Sequence, residues 1–334
     1  MHLPDIVYLS PNKTTEALEV IEDCGNSCSV IAGGTDLMVA LKQRLQTPKY
    51  LIGLENIPEF KKIEEKDESI RLGPMNTLDE ISSSDLIKTK LPALSQAARE
   101  VGSPLLRSQA TIGGNVCLNT RCRFYNQSQF WRSTREKCYK AGGSYCHVTK
   151  QKEKCNAAFV ADLVPVLIAY GANIKLAGLA GEKMLSLKEF YTGDSCFPNQ
   201  ILNGDRVILT EIDIPIPKNN IRSVYKKFRF RRSIDFPLVG VAVSLDLDEN
   251  NRCRDINILL TGVGSAPVEI KKAKKELLGQ RWDDELVSSV ASLASQEIRP
   301  LKTNLVSPRY TREIASLKIK EALQEAGGKN GKNY

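Results

Sequence analysis

Histidine is almost missing from this chain: its 334 residues hold His2 and His147 and no other. A His dyad or a three-His metal site is thereby nearly excluded. Long apolar runs are missing too. No stretch approaches the ~18 uninterrupted apolar residues of a membrane span. The start, Met1-His2-Leu3-Pro4-Asp5, carries neither the basic nor the apolar stretch of a secretory leader, so a cytoplasmic location is expected. In that compartment the nine cysteines are expected to be reduced or metal-bound rather than paired as disulfides. Aromatics make up only 6%, but 42% hydrophobic and 26% charged residues describe an ordinary globular protein. At the usual ~100–200 residues per domain, the length suggests two or three of them.

What is present is concentrated in one place. Residues 121 to 155 hold nine basic side chains: Arg121, Arg123, Arg132, Arg135, Lys137, Lys140, Lys150, Lys152 and Lys154. Only Glu136 and Glu153 oppose them, so this segment supplies +7 of the net +8. The same segment carries four of the cysteines and six aromatics. A dense basic insertion therefore sits in a nearly neutral background.

Periodicity organises the rest. Residues 13 to 24 carry apolar positions at helical spacing. Ser29 to Ala32 reads as a buried strand that runs through Gly33-Gly34-Thr35-Asp36 into a helix, Leu37 to Arg44, and Lys49 to Leu54 is another strand. Residues 68 to 120 read as mixed, with a short strand and then a helix from Pro92 to Val101, and Phe159 to Tyr170 reads as a buried helix interrupted or started near Pro165. Three strands follow, Val224 to Phe230, Leu238 to Leu247 and Asp255 to Val263. Then come helices over Pro267 to Leu278, Asp283 to Ile298 and Tyr310 to Glu325, a strands-then-helices order that indicates a separate α+β domain. The polar, glycine-rich tail 327–334 is expected to fray. The expected domains are 1–55, 56–217 with an insertion at about 121–156, and 218–334.

Cys122, Cys138, Cys146 and Cys155 are spaced C-x15-C-x7-C-x8-C. Structural zinc sites show paired C-x2–4-C knuckles, and ferredoxin clusters use a compact run; this spacing matches neither. Four thiolates suit a [4Fe–4S] cube, with the basic surroundings offsetting its charge and Phe130, Trp131, Tyr139 and Tyr145 available to exclude water. Zinc, with His147 as a substitute ligand, or simply buried thiols remain open. Ala32-Gly33-Gly34-Thr35-Asp36 and Thr111-Ile112-Gly113-Gly114-Asn115 are two Gly-Gly turns, each with hydroxyl or amide side chains. Together they suggest a dinucleotide held between two loops, its pyrophosphate on backbone N–H groups. Neither is a G-x-G-x-x-G, and Gly262-Val263-Gly264 reads as a strand-end turn. Cys24 and Cys28 read as buried thiols and Asp162 as a helix cap or a ligand contact. The run Lys226 to Arg232 reads as a half-solvated strand. An RNA-binding protein with a structural zinc would also explain the charge, but the paired glycine turns count against it.

Val30-Ile31-Ala32-Gly33-Gly34-Thr35-Asp36-Leu37, Thr111-Ile112-Gly113-Gly114-Asn115 and Ala161-Asp162-Leu163-Val164-Pro165 resemble the FAD-binding medium subunit of the molybdenum hydroxylases. The resemblance covers nearly the whole chain. It implies an α+β fold: a two-lobed FAD-binding domain plus a C-terminal domain of a three-stranded antiparallel sheet with helices. It implies FAD pyrophosphate contacts from Val30, Ile31, Ala32, Gly33, Gly34, Thr35, Asp36 and Leu37 on one side. From the other side come Thr111, Ile112, Gly113, Gly114 and Asn115, with Val101 nearby. Asp162 and, more loosely, Lys227 would meet the cofactor further along. The insertion separating the second and third motifs is similar to that of the β subunit of 4-hydroxybenzoyl-CoA reductases. That implies a [4Fe–4S] cluster on Cys122, Cys138, Cys146 and Cys155, and electron entry from reduced ferredoxin, with no catalytic residue on this chain. Implied partners are a large subunit with the molybdenum cofactor and a small one with [2Fe–2S] clusters, as a dimer of heterotrimers, with neither nucleic acid nor membrane. The alternative is a flavin subunit delivering electrons to NAD or a quinone, with zinc in the loop.

Overall fold

The computed structural model of the chain describes residues 2–152, 154–201, 206–218, 220–302 and 306–328. Its first unit holds β1 (Val7–Leu9), α1 (Thr14–Cys24), β2 (Cys28–Ile31), α2 (Leu37–Lys42) and β3 (Tyr50–Gly53). The three strands form a parallel sheet in the order β1-β3-β2. Parallel strands need crossover connections, and α1 and α2 supply them. Ala17, Leu18 and Ile21 of α1 recur at helical spacing and bury against Ile52 and Leu54.

The next unit runs β4 (Ile63–Lys66), β5 (Ser69–Leu72), α3 (Leu78–Ser83), α4 (Asp85–Lys90), α5 (Pro92–Glu100), α6 (Pro104–Arg107) and α7 (Ile112–Val116). It continues with α8 (Gln129–Ser133), α9 (Leu163–Ala169), β6 (Asn173–Gly178), β7 (Gly181–Ser186) and β8 (Ile208–Pro215). Its antiparallel sheet has the order β4-β5-β8-β6-β7. Thr77 starts α3 with a capping box: its hydroxyl accepts from Glu80 N, and the Glu80 carboxylate accepts from Thr77 N at 2.7 Å. The helix read over Phe159 to Tyr170 starts at Leu163, close to the start near Pro165, and the residues before it are tied elsewhere. Arg121 and Ala158 pair as an antiparallel bridge, and Phe159 exchanges main-chain bonds with Gly262 and Gly264. Gly262, at φ +85°, makes the strand-end turn.

The last unit is β9 (Ile221–Phe228), β10 (Val239–Leu247), β11 (Cys253–Thr261), β12 (Val268–Glu269), α10 (Lys272–Leu277), α11 (Asp284–Glu297) and α12 (Pro308–Ala326). The sheet is four-stranded, β12-β11-β10-β9, one short edge strand more than expected. The expected helix from Pro267 is replaced at its start by β12, since Val268 and Glu269 pair with β11. Strand alternation makes β10 two-faced: Val241, Val243 and Leu245 pack with α11 and α12, while the smaller Gly240 and Ala242 face the middle unit. The run Lys226 to Arg232 divides: within β9 its lysines are held from opposite sides, while Phe230, Arg231 and Arg232, past the end of the strand, are exposed. Lys226 reaches Glu325 of α12 at 2.6 Å, and Lys227 turns the other way to Asp162. Residues 329–334 of the tail lie outside the described residues. No described helix is long and apolar enough to cross a membrane.

Candidate functional site

A cleft of about 860 Å³ opens between the first two units. That is at the upper end of the ~300–1,000 Å³ of small-molecule sites, room for an extended ligand. Both glycine turns line it. Val30 to Leu37, every residue, forms one wall; Thr111, Gly113, Gly114, Asn115, Val101 and Asp162 form another. Ile112 does not reach the cleft; it is fully buried in the core beneath.

The two turns touch through backbone. A Cβ built on Gly33 would stand 1.9 Å from the Gln109 carbonyl oxygen, so only glycine permits this approach. Gly34 has φ +70°, which turns the chain from β2 into α2. The Thr111 hydroxyl accepts from Gly114 N at 3.1 Å and caps α7. The Asn115 amide oxygen accepts from Leu163 N at 3.2 Å, so the second glycine turn also holds the start of α9.

Asp162 stands at the N-cap position of α9, but its side chain makes no cap bond to the helix backbone. Its carboxylate instead accepts from Tyr225 OH at 2.6 Å and pairs with Lys227 Nζ at 3.0 Å, and both charged side chains are essentially inaccessible. Burial pushes the Asp162 carboxyl upward, opposed by Lys227 and by the hydrogen bonds from Tyr225 and Lys227. Lys227 also donates to the Glu100 carbonyl at 2.9 Å and does not line the cleft; it stands behind Asp162. Period-two spacing on β9 is what sets Tyr225 and Lys227 side by side.

Cys122, Cys138, Cys146 and Cys155 all line one small chamber in the insertion. Phe124, Tyr125, Tyr139 and His147 line it with them; Phe130 is 80% exposed, and Trp131 lies outside under the Arg135 guanidinium. Among the described residues, no group of three or more His, Cys, Asp or Glu is set to hold a metal ion. A cube spaces its thiolates wider than a single ion does. Three of the sulfurs are met by backbone N–H donors: Phe124 and Tyr125 at Cys122, Ala157 at Cys155, and Thr149, Val148 and Asn156 at Cys146. Burial still leaves the Cys122 and Cys155 thiols raised. At Cys146 burial is outweighed by those donors, and its thiol is lowered. Such donors favour the thiolate. The His147 Nε2 is buried without a hydrogen-bond partner.

The insertion is fastened to the cleft by three of its own basic residues. Arg121 pairs with Asp36 and stacks on Phe236 at 4.4 Å. Burial pushes the Asp36 carboxyl upward, with Arg121 and then Lys140 pulling it back. Arg132 Nη2 donates to the Gln43 and Arg44 carbonyls at 2.8 Å each, satisfying the C-terminal end of α2. Lys140 Nζ lies 2.6 Å from Asn119 Oδ1, Thr120 Oγ1 and the Ser195 carbonyl, and burial lowers it to about 8. Tyr125 lines both the cleft and the chamber. None of these contacts has a local signal; each depends on a carbonyl or carboxylate distant in sequence. Cys24 and Cys28 are only half-buried, and Cys28 sits in the cleft wall.

Comparison with known proteins follows this geometry. Residues 4–217 match the family described as FAD binding domain in molybdopterin dehydrogenase. Residues 223–326 match the CO dehydrogenase flavoprotein C-terminal domain. The chain is similar to the glyceraldehyde dehydrogenase medium chain of Sulfolobus acidocaldarius, 26% identical over 97% of this chain and 99% of that one. It is 24% identical to the carbon monoxide dehydrogenase medium chain of Afipia carboxidovorans, over 96% of each. Among solved structures it is similar to a chain of Cu,Mo-CO dehydrogenase, with a TM-score of 0.81 and 22% identity over 99% of this chain and 100% of that chain.

Proposed function

Because this chain belongs to the FAD-binding family of the molybdopterin dehydrogenases, as the flavin-binding subunit of a molybdenum hydroxylase-type oxidoreductase, we propose that its cysteine loop adds a [4Fe–4S] cluster. What carries this reading is the chamber: four cysteines on one small cavity, with backbone N–H donors directed at three of their sulfurs and Tyr125 lining both it and the flavin cleft. When bound, the flavin exchanges electrons singly or in pairs and the cluster exchanges them singly. The chain's own residues bind and orient. The glycine turns close on the dinucleotide from two sides, the Asp162–Lys227–Tyr225 group fixes the inner end of the cleft, and Arg121, Arg132 and Lys140 hold the loop against it.

In this reading the chain is the electron-entry subunit of an enzyme similar to 4-hydroxybenzoyl-CoA reductase, in the cytoplasm. A large subunit with the molybdenum cofactor and a small [2Fe–2S] subunit complete a dimer of heterotrimers. Substrate chemistry lies on the large subunit: two electrons and two protons convert 4-hydroxybenzoyl-CoA to benzoyl-CoA and water. Reduced ferredoxin, commonly acidic, is the donor. The exposed Arg123, Arg135, Lys137, Lys150, Lys152 and Lys154 support this, since a positive surface speeds encounter with an acidic partner. Arg132 belongs with the fastenings and not with that surface.

The test is anaerobic purification with flavin, iron, sulfide and zinc determination. About four iron, four sulfide and one FAD per chain are expected. FAD with zinc and no sulfide overturns the cluster and leaves a flavin subunit that passes electrons to NAD or a quinone.

A further inference from the structure

Among the described residues, Lys140 is a cation without a counter-ion. It sits between Cys138 and Cys146 in sequence and lines the chamber. Every hydrogen bond its ammonium makes goes to a neutral oxygen: Asn119 Oδ1, Thr120 Oγ1 and the Ser195 carbonyl at 2.6 Å, and the Thr120 carbonyl at 3.2 Å. Among the described residues no carboxylate pairs with it; Asp36, whose carboxyl feels its charge, is paired with Arg121. A buried charge without an opposite charge beside it is costly. The thiols of Cys122, Cys138, Cys146 and Cys155 line the same chamber.

We infer that Lys140 is the charge partner of the anionic cluster held by the four-cysteine chamber, a positioning residue that stabilises bound metal and raises its reduction potential. The inference rests on the proposed function. A cube bound by four thiolates is net negative and becomes more so on reduction. A fixed ammonium beside it therefore favours the reduced form, one of the protein's ordinary means of setting a cluster potential. Its oxygen contacts reach both Asn119 and Thr120, in the cleft wall, and Ser195, so the charge is also held at a set place relative to the flavin cleft.

The experiment compares the intact complex with Lys140→Gln, which keeps hydrogen-bonding capacity without charge, and Lys140→Met. Thr120→Val, which removes one acceptor while keeping the charge, is the control. Flavin, iron and sulfide are counted, the cluster potential is titrated with electron paramagnetic resonance detection, and iron release to a chelator is timed. Both Lys140 variants are expected to shift the potential to more negative values and to release iron several-fold faster, with Thr120→Val close to wild type in potential. An unchanged potential in an iron-replete Lys140→Gln overturns the inference, as does an equal shift in Thr120→Val, which would mark a purely structural tether. If Lys140→Met does not assemble, Lys140→Gln alone decides. Wild-type protein without iron and sulfide fails the proposed function itself, a result separable from either.

Discussion

Replacing Gly33 by alanine tests how the cleft is built. The added Cβ would stand 1.9 Å from the Gln109 carbonyl oxygen, 2.8 Å from its carbon and 3.1 Å from Ala110 Cα. Ordinary contact begins near 3.4 Å, so the two chain segments must part by about 1.5 Å. Neither can yield easily, because the obstacle is backbone. Ala110 is held on both sides, its N–H donating to Leu106 O at 2.7 Å and its carbonyl accepting from Leu78 N at 2.8 Å. Overpacking of this kind costs about 1–3 kcal/mol, and a rigid obstacle points to the upper half of that range. Since the parted segments are the walls that meet the dinucleotide, most of the cost should appear in binding, on the order of 10–100-fold weaker FAD. The assay is flavin titration of the deflavinated protein followed by fluorescence, with thermal unfolding in parallel. Gly114→Ala is the comparison: its nearest obstacle is the Thr111 hydroxyl at 3.2 Å, and its loss should be several-fold smaller. A Gly33→Ala protein that binds FAD within twofold of wild type would refute the reasoning.

Removing the Asp162 carboxylate in Asp162→Asn strands the buried Lys227 ammonium and should destabilise the chain by about 3–5 kcal/mol in urea unfolding; Glu100→Gln leaves that pair intact and should cost under ~1 kcal/mol. Tyr170, buried and bonded to Ser223 and Ala93 N, is pushed up to about 12 by burial, while an unfolded tyrosine titrates near 10. The folded state thus holds its proton longer, and the stabilisation, full below pH 10, is lost as pH rises toward 12. Alkaline unfolding should show this slope, worth roughly 2–3 kcal/mol, and Tyr170→Phe should remove it. Reversing the exposed Lys137 and Lys152 to Glu should slow reduction by ferredoxin on the order of tenfold at low salt and little at high salt in stopped-flow measurements. Equal slowing at both ionic strengths would dismiss the steering role.

Much of the site could be read from sequence where the determinant is local. The glycine turns, the strand before each change of direction and the spacing of the four cysteines are short-range features. Side-chain direction is not. Nothing in Arg132 or Lys140 distinguishes them from Lys137 until the carbonyls of Gln43, Arg44 and Ser195 arrive from elsewhere in the fold. Asp162 reads as a cap because it precedes an apolar helix, but Tyr225 and Lys227, more than 60 residues later, claim its carboxylate. Phe130 looks like a shield and Phe124 does not, although the chamber uses the second. Only the start of the helix from Pro267 differs, for a similar reason: pairing with β11 overrode a weak helical pattern at Val268 and Glu269, and the helix begins at Lys272.

The Arg121–Ala158 bridge brings the two ends of the insertion to adjacent positions. Everything between them is an excursion of about 36 residues, whose closure costs only roughly 3 kcal/mol because that entropy grows as the logarithm of length. The insertion is therefore a graft on the flavin scaffold, removable at two neighbouring stubs without breaking a sheet. A short turn joining those stubs should yield a folded chain that keeps its dinucleotide cleft.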